Sequence, residues 1–324
     1  MPLDSYQPGW EAPLFYAAET AAYPGGVAIP TPALPSTFVF GGWCDVPEIT
    51  IDEGSRPIYS VGADDPLTVL PGGRVHRLSV GARIANMGLI GLCFKNGTGF
   101  RNLPDVCFLS GSADPSDGFG RAFRYGKAES IGFTLAKGSG QELRAQMSFL
   151  GLAEQNATLP TPSNSDLGAY GVPLTWHNLT QVNFGGVNLR DIADSISFNT
   201  SYQLEMKNFR PDFGASNVWS RTPYAIMPIR RSYSLTVNFE DPDARKYALG
   251  ISRATTNSAT ATGAISCVAT NVGSSTEGAY SNGFTLAAAA GRLGTTTRRG
   301  GDTGQELMSS ATIQVTGVTF TPLT

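Results

Sequence analysis

Charged residues are scarce in this chain: Lys, Arg, Asp and Glu together make up 15% of its 324 residues. The 23 basic and 26 acidic residues give a formal net charge of −3 at pH 7. Proteins that hold nucleic acid tightly neutralise its phosphates with clustered Lys and Arg. The composition therefore disfavours a protein that grips DNA.

Histidine and cysteine, the residues that most often bind transition metals, are also few. The chain has two histidines and four cysteines, with no C-x-x-C spacing and no His/Cys grouping typical of a metal site. We therefore predict no cofactor and no metal, and four reduced, mostly buried thiols. His76 falls on the apolar side of a predicted strand, which favours a core histidine over a catalytic one.

Signatures of common enzyme classes are missing as well. The segment around Gly120, Gly126 and Lys127 is similar to a phosphate-binding loop, but it has five residues between its glycines where four are needed. It also has Ala128 where a magnesium-binding Ser or Thr should stand. No G-x-S-x-G motif is present, and the carboxylates are scattered rather than paired. We predict that the chain is not an enzyme.

Long apolar runs are absent too. No stretch reaches the length of a transmembrane helix, and residues 1–16 lack the basic and apolar regions of a signal peptide. We expect no membrane association and a cytosolic compartment for folding. Glycine and proline, by contrast, are plentiful at 38 and 21 residues, which favours strands and turns over long helices.

Two short sequences occur twice in the same order. Gly-Phe-Thr-Leu-Ala at 132–136 recurs at 283–287, and Gly-Gln-Glu-Leu at 140–143 recurs at 304–307. The two offsets, 151 and 164 residues, differ by 13. We predict that the Gly/Thr/Arg-rich segment 289–303 is an inserted loop that accounts for this difference.

Three further blocks keep the same order. Residues 38–42 correspond to 182–186, and 45–51 correspond to 191–198 with one extra residue in the second copy. Together these blocks predict an internal duplication, with chance reuse of strand-like sequence as the alternative. At an offset of 157 residues, Leu70-Pro71, Arg74, Leu78 and Val80 correspond to Met227-Pro228, Arg231, Leu235 and Val237.

The duplication divides the chain into four segments. Seven prolines interleaved with aromatic residues in 1–35 predict an extended arm that lies on this subunit or on a neighbour, and they are predicted to exclude a continuous helix or a central strand. A disordered leader is the alternative. We place the first domain at 36–158, a Pro-rich linker at 159–175 and the second domain at 176–324. Within the first domain, the Gly/Asp/Ser-rich segment 96–130 is predicted to be an exposed loop or flap.

Apolar and polar residues alternate in the predicted strands of both copies, which is typical of an antiparallel sheet covered on one side. Residues 241–250, which begin with Asp-Pro and end with Gly, predict a short helix, and 86–94 is its weaker counterpart in the first copy. The predicted fold is therefore mainly β (α+β), with a small sandwich and a flanking helix in each half. The alternating polar residues are Glu48, Thr50, Asp52, Arg77 and Ser79 in the first copy, and Ser195, Ser197, Asn199, Ser234, Thr236, Asn238 and Glu240 in the second.

These features resemble the tail tube proteins of phages with long, non-contractile tails, the siphophages. The resemblance covers most of residues 36–324. It is carried by Glu48-Ile49-Thr50-Ile51-Asp52, by the alternating strand within 224–240, by the Asp241-Pro242 helix start and by the repeated Gly-Phe-Thr-Leu-Ala sequence.

The resemblance implies a β-sandwich with a flanking helix, and subunits in rings that stack into a hollow tube for DNA. Members with two fused tube domains form homotrimeric rings of pseudo-six-fold symmetry, and the duplication resembles those. Each ring would close its sheet into a continuous β-barrel, with the polar strand faces toward the lumen. The expected lumen-facing residues are Glu48, Thr50, Asp52, Arg77, Ser79, Ser195, Ser197, Asn199, Ser234, Thr236, Asn238 and Glu240.

The same resemblance implies partners and a location. Tape-measure and tail-end proteins would contact the tube, and DNA would pass through the lumen during ejection without specific binding. The chain would assemble in the host cytoplasm and reside in the tail of the virion. A polar, mildly negative wall would let DNA slide, an expectation from which Arg77 departs. The Pro-rich arm and the 96–130 loop are candidates for contacts between stacked rings.

Two other functions stay open. Another tail component, such as a tail-completion or baseplate ring protein, would share the fold without polymerising into a tube. A non-viral β-sandwich binding module would stay monomeric and bury a carbohydrate or protein patch.

Overall fold

The computed structural model describes residues 11–19, 33–45, 47–52, 56–59, 65–70, 75–94, 103–111, 120–138, 142–161, 174–185, 187–207, 225–239, 262–275, 278–300 and 306–323. Within these residues are seventeen strands, fifteen of them in one antiparallel sheet, which confirms the prediction of a mainly β chain. The strands are β1 (Glu11–Ala18), β2 (Val39–Asp45), β3 (Glu48–Asp52), β4 (Arg56–Tyr59), β5 (Pro66–Leu70), β6 (Val75–Ile84), β7 (Val106–Gly111), β8 (Gly120–Ala136), β9 (Arg144–Gly151), β10 (Ala153–Ala157), β11 (Leu179–Phe184), β12 (Val187–Asn188), β13 (Ala193–Lys207), β14 (Ala225–Phe239), β15 (Thr262–Ser275), β16 (Gly278–Gly300) and β17 (Glu306–Leu323), and the helices are α1 (Gly88–Cys93) and a 3-10 turn at Trp176–Asn178.

The alternation of apolar and polar residues decides which face of each strand is buried. In β6, Leu78 and Val80 are buried, whereas Arg77 and Ser79 beside them are exposed. His76 is buried with the apolar set, as the sequence predicts. The same alternation runs through β13 and β14. Because paired strands turn the same residues inward, the apolar faces meet in a core and the polar faces form the opposite surface.

The two halves of the chain pair their strands in the same order. The first half has the order β7-β8-β9-β6-β3, and the second has β15-β16-β17-β14-β13. The registers correspond too, since Leu78 pairs with Phe149 and Leu235 pairs with Ile313. The offsets of 157 and 164 residues seen in the sequence are thus kept in these pairs. The halves join where β13 pairs with β8.

The repeated Gly-Phe-Thr-Leu-Ala sequences, by contrast, occupy different positions in their hairpins. Thr134 pairs with Arg144 at the start of β9. Thr285 pairs with Thr321, close to the end of β17. These two identical sequences are therefore not structural equivalents, although the strands that contain them are.

The segment 289–303 was predicted to be an inserted loop, and this is wrong for residues 289–300. They continue β16 and pair with β17 as a long hairpin. Glycines suggested a loop, but the β-branched run Thr295-Thr296-Thr297 favours an extended strand.

Part of the N-terminal arm is an inner strand of the sheet. β1 lies between β2 and β7, so the prediction that prolines exclude such a strand is wrong for Glu11–Ala18. Pro13 pairs with Trp43 of β2, whereas the pairing with β7 begins at Leu14. In the described pairing, Pro13 therefore has a neighbouring strand on one edge only, where its missing N–H is tolerated.

β1 also completes a closed circuit of six paired strands in the first half, β1-β2-β6-β9-β8-β7.

Glu19, the residue directly after β1, forms a buried ion pair. The guanidinium of Arg124 donates to its two carboxylate oxygens at 2.7 and 2.8 Å. Burial alone would lower the pKa of Arg124, but the hydrogen bond and charge of Glu19 outweigh it, and the pKa is raised. Arg124 also donates to the carbonyl oxygen of Ala33, so it holds two parts of the N-terminal segment.

The segment 96–130 is not one exposed loop. Val106–Gly111 forms β7, and residues 120–130 belong to β8. Phe108 and Phe123 of these strands are 1% exposed. The prediction of a flap is therefore wrong for this described part, because the apolar residues between the glycines and aspartates pair as strands and enter the core.

The short helix predicted at residues 86–94 is confirmed by α1. At its start, the side-chain oxygen of Asn86 accepts a hydrogen bond from the Gly88 N–H at 2.7 Å. The helix buries Leu89 and Ile90, and one hydrophobic cluster contains these residues together with residues of both halves. The four cysteines are buried and form no disulfide, as predicted. The second predicted helix, at 241–250, and most of the linker at 159–175 lie outside the described residues.

Candidate functional site

The polar surface of the sheet runs across eight neighbouring strands, in the order β3-β6-β9-β8-β13-β14-β17-β16. Four of these strands come from each half of the chain. Directly paired residues lie on the same face of a sheet, so the registers show which side chains share this surface. We call this surface the polar face.

The five predicted site residues of the first half lie together on the polar face. Glu48, Thr50 and Asp52 are exposed on β3, and Arg77 and Ser79 are exposed on β6. Thr50 pairs directly with Arg77, and Glu48 pairs with Ser79.

The described site residues of the second half form three cross-strand pairs between β13 and β14. The amide nitrogen of Asn238 donates to the hydroxyl of Ser195 at 2.7 Å. Glu240, the remaining predicted residue, lies outside the described residues. The pairs are Ser195 with Asn238, Ser197 with Thr236, and Asn199 with Ser234.

A row of serines connects the two groups across the middle of the sheet. Ser79 pairs with Ser148 of β9, and Ser148 pairs with Ser130 of β8. Ser130 pairs with Ser201 of β13, which in turn pairs with Ser232 of β14. The hydroxyl oxygens of Ser130 and Ser148 are 2.9 Å apart. Because every step is a direct pair, the site residues of the two halves share one face.

A second row of hydroxyl groups crosses β8, β13, β14 and β17. The Thr134 and Ser197 hydroxyl oxygens are 2.8 Å apart, and those of Thr236 and Thr312 are 3.2 Å apart. Ser197 and Thr236 are themselves paired across the strands. These short side chains form hydrogen bonds with one another, so the surface they make is polar but carries no charge.

Sequence reasoning missed the contributions of β8, β9, β16 and β17 to the polar face. The signal that could have found them is the same alternation. In β9, for example, Ala145, Met147 and Phe149 are buried, whereas Gln146 and Ser148 between them are not.

Two arginines of the polar face are paired with carboxylates of the first half. Arg77 lies 3.1 Å from a carboxylate oxygen of Glu129, and Arg83 lies 3.0 Å from one of Glu142. The sequence predicted a mildly negative wall, and the positive charge of Arg77 departs from that prediction. Glu129 balances this charge. Such partly exposed pairs add little to stability, but they reduce the local positive potential.

The apolar side of the same strands carries an aromatic cluster. Phe133 of β8 and Phe198 of β13 lie with ring centroids 5.5 Å apart where the two halves join. Phe284 and Phe320 stack at 5.5 Å on the second half. Burial raises the pKa of Tyr202 above its usual value, so this phenol stays neutral. The polar face is thus backed by a packed apolar layer.

The described strands offer a broad surface of hydroxyl and amide groups with interspersed charges. Among the described residues, no group of three or more His, Cys, Asp or Glu is placed to hold a metal ion. In the part of the chain that the structure covers, we find no helix with the length and apolar character needed to cross a membrane. No protein-family model matches this chain, and no curated protein matches its sequence.

Proposed function

We propose that this chain is the tube subunit of a long, non-contractile phage tail, with two fused tube-like sandwich domains. Three copies would form a ring of pseudo-six-fold symmetry, and rings would stack into a hollow conduit for DNA during ejection. The polar face is the observation that carries this proposal: each half contributes four strands to it, in the same order. Two like units per chain are what a three-subunit ring with six similar positions requires.

The chemistry of the polar face suits a wall along which DNA slides. Hydroxyl rows such as Thr134–Ser197 and Thr236–Thr312 offer no charge to phosphates. Arg77 and Arg83 are each balanced by a carboxylate. A wall that neutralised many phosphates would hold DNA and stop its movement, because phosphate contacts account for most nonspecific affinity.

The two ends of the eight-strand surface favour ring closure. β3 lies at one end and β16 at the other. An exposed strand edge can pair with an edge of another chain. When each copy contacts the next through two different edges, the copies form a closed ring if the rotations between them add up to one full turn.

This function implies a location and partners. The chain would assemble in the host cytoplasm and reside in the virion tail, in contact with further rings, a tape-measure protein and tail-end proteins. A tail-completion or baseplate ring component would form similar rings but would not stack repeatedly.

Electron microscopy of the purified protein in negative stain, over rising concentration, tests the proposal. We expect hollow rings with three-fold symmetry, and hollow filaments at high concentration. Single rings that never stack would instead indicate another tail ring component. A monomer that persists at high concentration, measured in parallel by light scattering, would overturn the proposal and favour a binding module.

A further inference from the structure

We infer that β3 of one copy pairs with the distal part of β16, residues 295–300, in a second copy. This inference rests on the proposed ring, and it identifies the edges and the register that would close it. It also gives a role to the segment that the sequence suggested was a loop.

Both edges are open in the described structure. β3 pairs with β6 on one side, and none of the described strands lies on its other side. β16 pairs with β15 along residues 278–292 and with β17 as far as Gly300. On the side of β15, residues 295–300 therefore have no partner among the described strands.

The chain contains a template for the missing pairing. β8 is the counterpart of β16, and one of its edges is shared by two strands: β7 pairs along residues 120–126 and β13 along 130–136. β13 is the counterpart of β3, because β13 pairs with β14 as β3 pairs with β6. The β13–β8 junction joins the halves, and a β3–β16 junction between copies would repeat it.

The template also gives the register. Asn199 pairs with Gly132 at the internal junction. Asn199 also pairs with Ser234 of β14. The counterpart of Ser234 at the 157-residue offset is Arg77, which pairs with Thr50. Thr50 is therefore the counterpart of Asn199.

Gly132 also pairs with Gln146 of β9. The counterpart of Gln146 at the 164-residue offset is Ser310, which pairs with Thr297, so Thr297 is the counterpart of Gly132. Thr50 of one copy should therefore lie opposite Thr297 of the next. Two residues further along the same antiparallel pairing, Glu48 lies opposite Arg299, as Ser197 lies opposite Thr134 at the internal junction, which places an acidic residue against a basic one.

The burial of β3 supports a missing neighbour. Ile51 is 41% exposed, which makes it one of the exposed large apolar residues of the described structure. Its counterpart at the internal junction, Thr200, is 3% exposed. Ile49 is only partly buried, whereas its counterpart Phe198 is 3% exposed. A second copy seated on β3 would remove this apolar surface from water.

A disulfide between copies tests the register. The variant Thr50→Cys/Thr297→Cys, oxidised mildly after ring assembly, should give covalent dimers and trimers on a non-reducing gel. The native thiols are buried at 0–2% exposure, so they give little background. The matched control is Thr50→Cys/Thr270→Cys, whose second cysteine is exposed on β15 beside the opposite end of β16.

Each result separates this inference from the proposed function. Rings without the specific cross-link would overturn the β3–β16 pairing and leave the tube proposal standing. Absence of rings in the unmodified protein would overturn the tube proposal itself. A cross-link confined to single chains would show that the sheet closes within one copy, which also contradicts the inference.

Charge reversal provides a second test that keeps the fold intact, as circular dichroism can verify. Glu48→Arg or Arg299→Glu alone places like charges opposite each other and should raise the concentration for half-assembly about 5-fold, the effect of roughly 1 kcal/mol at a cross-strand pair. The double variant should restore assembly. Failure of the double variant to recover would overturn the proposed register.

Discussion

Phe94, the residue that follows helix α1 of the first half, stacks on Tyr233 of the second half with ring centroids 5.3 Å apart. It also lies against Phe198 and Phe320, at 6.1 and 5.5 Å. A residue of the first half thus lies inside the aromatic cluster that backs the polar face of the second. The two halves share core packing as well as a sheet.

Phe94→Ala should lower the free energy of unfolding by about 3–5 kcal/mol, because it leaves a cavity among three aromatic rings. Phe94→Leu keeps much of the volume and should cost less than half as much. Urea denaturation followed by circular dichroism measures both. An unchanged midpoint for Phe94→Ala would contradict a shared core.

The buried ion pair of Glu19 and Arg124 leads to a second prediction. Glu19→Ala should destabilise the protein by about 3–5 kcal/mol, because it leaves the guanidinium buried, at 2% exposure, without its carboxylate. The matched control is Glu129→Ala, which breaks the pair with Arg77, whose side chain is 51% exposed. That change should cost at most about 1 kcal/mol.

Chemical denaturation of the two variants gives the comparison directly. Equal losses would show that burial does not set the importance of the Glu19 pair. A further double variant, Glu19→Leu/Arg124→Met, should recover part of the loss, since an apolar replacement removes both buried charges at once.

The polar face was largely predictable because alternation is a local signal. Thr50 beside Ile51, and Ser79 beside Leu78, already assign opposite faces to successive residues. Their common surface also follows from the duplication. The neighbours in between, β8 and β9, could not be assigned from repeated sequences alone, because Thr134 and Thr285 share a sequence but not a position.

The wrong predictions share a physical cause. Composition suggested that Pro-rich or Gly-rich segments stay outside the sheet, as for Glu11–Ala18 and residues 289–300. Whether a strand forms there depends on pairing partners outside the segment: Leu14 pairs with Ser110, far along the chain, and Thr297 pairs with Ser310 of the next strand. Such strand pairing outweighs local propensity, which is weak for strands.

The buried thiols give a prediction for alkaline pH. Burial raises the pKa of Cys107 and of Cys267 from the ordinary 9.0 to about 12. The unfolded chain therefore releases these protons at lower pH than the folded chain. The stability contributed by the buried neutral thiols is complete below pH 9 and declines between pH 9 and 12, by up to about 1.4 kcal/mol per pH unit for each thiol.

Urea denaturation at pH 8 and at pH 10.5 checks this, with Cys267→Ala as the control. The variant should lose less stability between the two values than the unmodified protein does, because it retains one of these two thiols. Equal losses would show that ionisation of Cys267 is not linked to unfolding. Thiol reagents at pH 8 should label the protein only after it unfolds.

The uncharged hydroxyl groups in the middle of the polar face give the last prediction. Ser197→Lys/Thr236→Lys places two cations in the middle of this surface, where the original pair carries only hydroxyl groups. If the face lines a conduit, assembled rings of the variant should retain short duplex DNA that the unmodified rings release. Fluorescence anisotropy measures this, and the binding should weaken steeply with salt because it rests on phosphate neutralisation.

The matched control puts the same two lysines at Thr158 and His177, which are exposed outside the strands of the polar face. Lysines there would add the same net charge without lining the conduit, and focused binding needs the charges to face the enclosed DNA. Equal DNA affinity for the two variants would mean that net charge alone decides binding, and the polar face would then lose its assignment as the inner wall. Stronger binding by the polar-face variant alone is the result that a conduit requires.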